Sequence, residues 1–202
     1  GRIVADYMAR PDVEAPMRLA YVRTLTDSQR YAEAVTQLQQ AVKQQPTFAP
    51  AYLTLGALQI ELRNAGEAEA ALTRYVELAQ GAGGATASAA DETDGDDEPM
   101  QASPERGLVQ AWLMLAQAAE LRGDYAAAEG WLKRIEDPRR ALEVQTRRAS
   151  ILARQGKLNE ARDLIRQAPE RTTDDGRAKL VAEVGVLREV KRWHEAYDLL
   201  AG

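Results

Sequence analysis

One short pattern occurs five times in the chain: Tyr31-Ala-Glu-Ala34, Gly66-Glu-Ala68, Asp124-Tyr-Ala-Ala-Ala128, Leu158-Asn-Glu-Ala161 and Trp193-His-Glu-Ala196. The alanines that close these segments are spaced 34, 60, 33 and 35 residues apart. The long spacing is one period with 26 residues added, so the register survives an insertion. Self-similarity at a fixed period of this size marks a repeat architecture.

Each alanine follows a turn signal. Leu-Arg-Asn64, Arg-Gly-Asp124, Gln-Gly-Lys157 and Val-Lys-Arg192 separate a first helical segment from a second. Beyond the turn, apolar residues recur at intervals of three and four: Val35, Leu38, Ala41 and Val42 in one segment, Ala161, Leu164, Ile165 and Ala168 in another. That spacing is one face of an α-helix. The prolines agree with it: Pro46, Pro138 and Pro169 fall just after second helices, and Pro16 and Pro50 in the first turn of first helices, where a missing N–H costs nothing. The pattern predicts helices over 13–27, 30–45, 48–63, 66–80, 108–122, 125–136, 139–155, 158–168, 175–190 and 193–201. Residues 3–9 read as the second helix of a preceding, mostly absent repeat.

Composition bounds the function. Aromatics make up 5% of the 202 residues, with one Phe, and alanine fills much of the apolar share, which favours close helix-on-helix packing. The net charge of −5 is local. Residues 81–107 hold 1 basic and 7 acidic groups, whereas 108–202 hold 17 and 15. A chain-wide nucleic-acid footprint is therefore not expected. The absence of cysteine excludes disulfides and thiolate metal sites, and suits a bacterial cytoplasm or periplasm equally. No apolar run approaches the ~18 residues of a membrane span, and no signal peptide is visible. The start at Gly1-Arg2-Ile3, without Met, predicts an excerpt of a longer array.

These residues resemble the tetratricopeptide-repeat (TPR) consensus, W-x-x-L-G-x-x-Y followed by A-x-x-x-F and a late proline. Tyr52-x-x-Leu55-Gly56 with Ala68-x-x-x-Leu72 matches best, followed by Trp112-x-x-Leu115-Ala116 with Ala128-x-x-x-Leu132. The fourth repeat departs from it, with Arg148 where the family has Leu or Ile; its charge is expected to snorkel to water. The resemblance implies an all-α, right-handed α-solenoid of about five helix hairpins. It places N-terminal hairpins at 1–80, an acidic flexible insert at 81–107 and C-terminal hairpins at 108–202.

The insert reads GAGGATASAADETDGDDEPMQASPERG, with six acidic residues in 91–98. Such a stretch is expected to be a solvated loop, because it has too little apolar area to offset its ordering entropy. Gly81–Gly84 lacks the Gly-Lys-Ser/Thr ending of a phosphate loop. A calcium loop would use Glu92, Asp94 and Glu98 but would begin at Ala90 and close at Gln101. An acidic segment that mimics a partner is a further reading.

Chemistry is sparse. His194, the only histidine, stands between Trp193 and Glu195 with no second ligand type nearby, and reads as a surface residue. No hydrolase, metalloprotease or dinucleotide-binding motif is present, so neither enzyme activity nor a metal or cofactor is expected.

Function is expected in the concave groove, which the resemblance lines with first helices. The lining residues would be Leu19 and Arg23, Leu53 and Ala57, Leu113 and Gln117, Thr146 and Ser150, and Val181 and Gly185. Ile60, Glu120, Arg154 and Arg188 follow a turn later, with Arg147 alongside. Leu53, Ile60 and Leu113 would take an apolar anchor. Arg147, Arg154 and Arg188 would grip carboxylates. The Lys/Asn clamp of the family's chaperone-binding members is missing, because Leu19, Arg23, Leu53 and Ala57 occupy its places. A protein or peptide partner is the leading expectation. Nucleic-acid binding through the basic face of 139–171, and self-association through the array's ends, are the alternatives.

Overall fold

The computed structural model describes residues 13–86, 104–172 and 174–201, without the side chains of 82–86 and 104. Among them, ten α-helices and one 3-10 turn carry the chain. They are α1 Ala15–Asp27, α2 Tyr31–Gln44, α3 Ala49–Glu61, α4 Ala65–Thr86, α5 Pro104–Leu121, α6 Tyr125–Leu132, α7 Ala141–Arg154, α8 Leu158–Arg166, α9 Asp175–Glu189 and α10 Trp193–Ala201. The fold is all-α, with helix hairpins stacked on one another. It forms two compact units, one ending at Arg122 and one beginning at Gly123.

In the first unit, α1 pairs with α2 and α3 with α4, while α2 packs on α3 and α4 on α5. In the second, α7 pairs with α8 and α9 with α10, while α6 packs on α7 and α8 on α9. First helices also meet: α3 touches α5, and α7 touches α9.

The turn inside each hairpin explains the sequence period. Gln29, Arg63, Gly123, Gly156 and Lys191 all have positive φ, between 57° and 81°. A single left-handed residue lets the chain reverse while the last carbonyls of the first helix stay bonded. Thus Arg30 N–H donates to the Leu25 carbonyl at 2.8 Å, Asn64 to Gln59 at 2.8 Å, Lys157 to Leu152 at 2.9 Å and Arg192 to Leu187 at 2.8 Å. Five residues after each left-handed residue comes the repeat alanine. All five alanines are buried, because a larger side chain there would hold the two helices apart.

Helix limits differ from expectation mainly around the insert. α4 continues to Thr86 and α5 begins at Pro104, so both ends of the stretch expected as loop are helical. Glycine lowers helix propensity by only about 1 kcal/mol per residue, which does not by itself end a helix. Proline is tolerated in a first turn. The acidic run 91–98 and the helix expected over 3–9 lie outside the described residues. α6 stops at Leu132, and a 3-10 turn at Pro138–Arg140 leads into α7.

Two arginines carry unexpected roles. Arg18, 1% exposed, lies in the core between α1 and α2. Its Nε donates to the Val13 carbonyl and to Gln44, and its Nη1 donates to Gln37 and Gln40, both at 2.7 Å. Arg148 does not snorkel to water. Its Nη2 donates to Glu129 of α6 at 3.1 Å and its Nη1 to Gln145 at 3.1 Å. A carboxylate on the preceding helix lies within reach, so an ion pair replaces exposure.

Candidate functional site

A groove of about 960 Å³ lies between α7 and α9. Its α7 wall presents Leu142, Thr146, Arg147 and Ser150, and its α9 wall Ala178, Val181 and Ala182. These positions are one turn apart on parallel helices, so they form two facing rows. Val181 is 63% exposed, a β-branched apolar side chain held open to water at the centre of the row.

The two ends of the groove differ. At one end Arg139 precedes α7, and Asp174, Asp175 and Arg177 open α9. Asp137 accepts the N–H of Arg139 at 2.9 Å and fixes the entry to the 3-10 turn. Asp175 accepts the N–H groups of Arg171 and Thr172 and the Thr172 hydroxyl, at 2.5, 2.9 and 2.8 Å. Those bonds hold its carboxyl below the usual aspartate range, the Arg171 N–H contributing most. The side chains of Arg139 and Arg177 form no ion pair among the described residues. A smaller hollow of about 350 Å³ continues past them, lined by Pro169, Arg171 and Thr172.

Towards the other end, Ser150 is bonded to Glu189 of α9. Ser150 Oγ donates to it at 2.6 Å, and Arg154 donates through Nη2 at 2.6 Å and Nε at 3.1 Å. Arg154, expected as a grip for a partner's carboxylate, is therefore held by one from its own chain. Arg188 lies over the Trp193 ring at 5.9 Å, away from the facing rows.

Of the residues read from sequence, Thr146, Arg147, Ser150 and Val181 come together in this groove. In the first unit the expected apolar stretch does not open. Ile60 is 6% and Leu113 9% exposed, both part of the packed interior. Leu19, Leu53, Ala57 and Gln117 are half-buried, with Leu19 against the core of α1–α3, and Arg23 is exposed. The sequence reading missed Leu142 and Ala178. They stand one turn before Thr146 and Ala182, and extending the same helical row would have found them. Arg139, Asp174 and Asp175 were missed because helix-end geometry, not periodicity, brings them to the groove.

The basic run 139–171 is largely neutralised. Arg140 pairs with Glu143, Arg148 with Glu129 and Arg154 with Glu189, while Arg162 and Arg166 both grip Glu183. Among the described residues, no helix is long and apolar enough to cross a membrane.

Residues 25–90 match a family model described as tetratricopeptide repeat, and residues 108–142 match a second model with the same description. The fold is similar to that of YrrB, described as a TPR protein with an unusual peptide-binding site. The TM-score is 0.57 at 16% identity, covering 91% of this chain and 81% of that one. It is also similar to the MamA protein, with a TM-score of 0.62 at 12% identity, covering 93% and 88%. No curated protein sequence matches the chain.

Proposed function

The chain is a tetratricopeptide-repeat protein, an interaction scaffold by family, and from that premise we propose that it binds a peptide or helix of a partner protein in the α7–α9 groove, without catalysis. The observation that carries this is the groove itself. Leu142, Ala178 and Val181 offer an apolar strip, and Arg139, Arg147 and Arg177 border it. Its volume is in the range of about 300–1,000 Å³ typical of binding clefts. An apolar anchor flanked by carboxylates is the partner chemistry that fits. Guanidinium groups bind carboxylates in a fixed fork, and burying Val181 removes apolar surface from water. The peptide-binding site of YrrB supports the reading at the level of fold.

A displayed peptide library selected on the 202-residue chain supplies the probe. Val181→Glu and Arg147→Glu should each weaken the selected peptide about tenfold or more, roughly 1.4 kcal/mol per decade. Glu160→Lys on the outer face of α8 should leave affinity unchanged. Arg162 is unsuitable as the outer control, because it holds Glu183. Equal losses from Glu160→Lys and Val181→Glu would remove the groove from consideration.

A further inference from the structure

The groove has a side chamber at its Arg139 end. The hollow of about 350 Å³ shares Arg139, Leu142 and Asp175 with the groove, so the two spaces join there. Its other walls come from the approaches to the two helices: Pro138 ahead of α7, and Pro169, Arg171 and Thr172 ahead of α9. The proline rings fix φ near −65°, which stiffens both lips before any partner arrives. Asp175 is turned to its own loop. Its Oδ2 accepts the Arg171 and Thr172 N–H groups, and its Oδ1 accepts the Thr172 hydroxyl.

Charge decides what the hollow takes. Its lining sets Arg139 and Arg171 against Asp175, which leaves one positive charge in surplus. Both arginines are exposed, and neither side chain is held by an ion pair among the described residues. At the Ser150 end, by contrast, Arg154 is already answered by Glu189. The two ends of the groove are therefore electrostatically unlike, and an anionic group is drawn to the Arg139 end. A phosphorylated side chain carries about −1.5 to −2 charges at neutral pH and would exceed a surplus of one. A single carboxylate matches it. Pro138, Leu142 and Pro169 supply apolar wall for the short stem that carries such a group.

Helix geometry sets the spacing. Val181 and Asp175 are six residues apart on α9, a rise of about 9 Å. An extended partner chain covers that distance in about three residues. From these observations we propose that the hollow is a subsite for one acidic side chain of the partner segment, an Asp or Glu about three residues from the apolar residue seated at Val181. The proposal rests on the α7–α9 groove as the binding site and adds a direction to it. In the parent chain the acidic residue lies towards Arg139 and Arg171, because Glu189 already holds Arg154 at the other end.

The probe is a peptide recovered from the displayed library on the 202-residue chain, fluorescein-labelled, amidated at its C-terminus and titrated by fluorescence anisotropy. Recovered peptides should carry an acidic residue about three positions from an apolar one. Changing that residue to its amide should weaken binding roughly three- to tenfold, as should Arg139→Ala or Arg171→Ala in the chain. The amide peptide should be indifferent to both chain variants. Arg171→Glu should reverse the preference, favouring the peptide with Lys at the acidic position. If affinity falls with Val181→Glu but not with Arg139→Ala or Arg171→Ala, the groove stands and the subsite is overturned. Equal losses for the acidic and amide peptides with Arg171→Ala would overturn it too, as would a phosphoserine peptide that binds more than about tenfold tighter than its Glu counterpart. If no peptide is recovered, or Val181→Glu has no effect, the groove reading fails and the subsite falls with it.

Discussion

Arg148 and Glu129 join α7 to α6 by an ion pair of 3.1 Å, and one repeat later the same two positions are held by Glu183 and Arg162 with the charges exchanged. Both pairs are partly or fully withdrawn from water, so each restricts which helix can follow which. Arg148→Glu should lower stability by about 1–3 kcal/mol, since it sets two carboxylates together in a half-buried interface. Adding Glu129→Arg should recover most of that loss. Urea denaturation of the two single variants and the double measures the coupling; strict additivity would show that the pair does not select the neighbour.

Acid should loosen the α8–α9 interface. Burial alone would raise the pKa of Glu183, but hydrogen bonds from Arg166 and Arg162 outweigh it and hold the carboxyl below the usual glutamate range. A depressed folded-state pKa means the charged form stabilises the fold. That contribution is complete above the unfolded glutamate value, and is lost as pH falls through the lower, folded one. Glu129 shifts in the same direction: burial raises it, and Arg148 and Lys133 lower it further than that. Thermal melts between neutral and acid pH should therefore fall less steeply for Glu183→Gln than for the parent chain. Parallel curves would contradict the assignment.

Three hairpin turns use side chains where glycine would fit better. Gln29, Arg63 and Lys191 hold φ near 60°, a region unfavourable for residues with a Cβ. Replacing each with glycine should stabilise the chain by roughly 0.5–1 kcal/mol, the relief of strain being partly offset by the entropy of the unfolded state. Gly123→Ala and Gly156→Ala should destabilise by a similar or larger amount. Denaturant midpoints of the five variants check both signs.

Much of this architecture was legible because the repeat alanines report the turns. Each lies at a fixed distance from a backbone reversal, so reading Ala34, Ala68, Ala128, Ala161 and Ala196 locates every hairpin. Of the expected groove lining, only the residues of the second unit were legible. Thr146 and Val181 follow from helical spacing, but the burial of Ile60 and Leu113 depends on how neighbouring first helices close over them. Arg148 and Arg154 were misread for one reason: their acidic partners, Glu129 and Glu189, stand 19 and 35 residues away in sequence. The acceptors around Arg18, neutral glutamines on the facing helix, gave no charge signal at all.

Close helix approach sets a further expectation. A Cβ on Gly56 of α3 would overlap the side chain of Leu72 on α4, and one on Gly107 of α5 would strike the Tyr75 hydroxyl. Gly56→Ala should cost about 1–3 kcal/mol by overpacking. Gly107→Ala should cost less, because the end of the Tyr75 side chain can move. Melting temperatures of the two variants, measured side by side, test that ranking.

The last prediction concerns the Ser150 end of the groove. Glu189 occupies both the Ser150 hydroxyl and the Arg154 guanidinium, so an acidic partner extending that way must compete with a carboxylate already in place. Glu189→Gln keeps the shape and a hydrogen-bond acceptor but removes the charge. For a selected peptide bearing a carboxylate beside its apolar anchor, the change should raise affinity by roughly three- to tenfold, about 0.6–1.4 kcal/mol. The gain should shrink with salt, as charge-assisted contacts at an exposed site do. Stability should drop slightly, because the Arg154–Glu189 pair is partly solvent-exposed and such pairs contribute about 1 kcal/mol or less. Calorimetric titration of parent and Glu189→Gln with the acidic peptide and its amide counterpart separates the terms. No gain for the acidic peptide would mean that Glu189 acts as a steric stop, which glutamine preserves, and not as a competing charge.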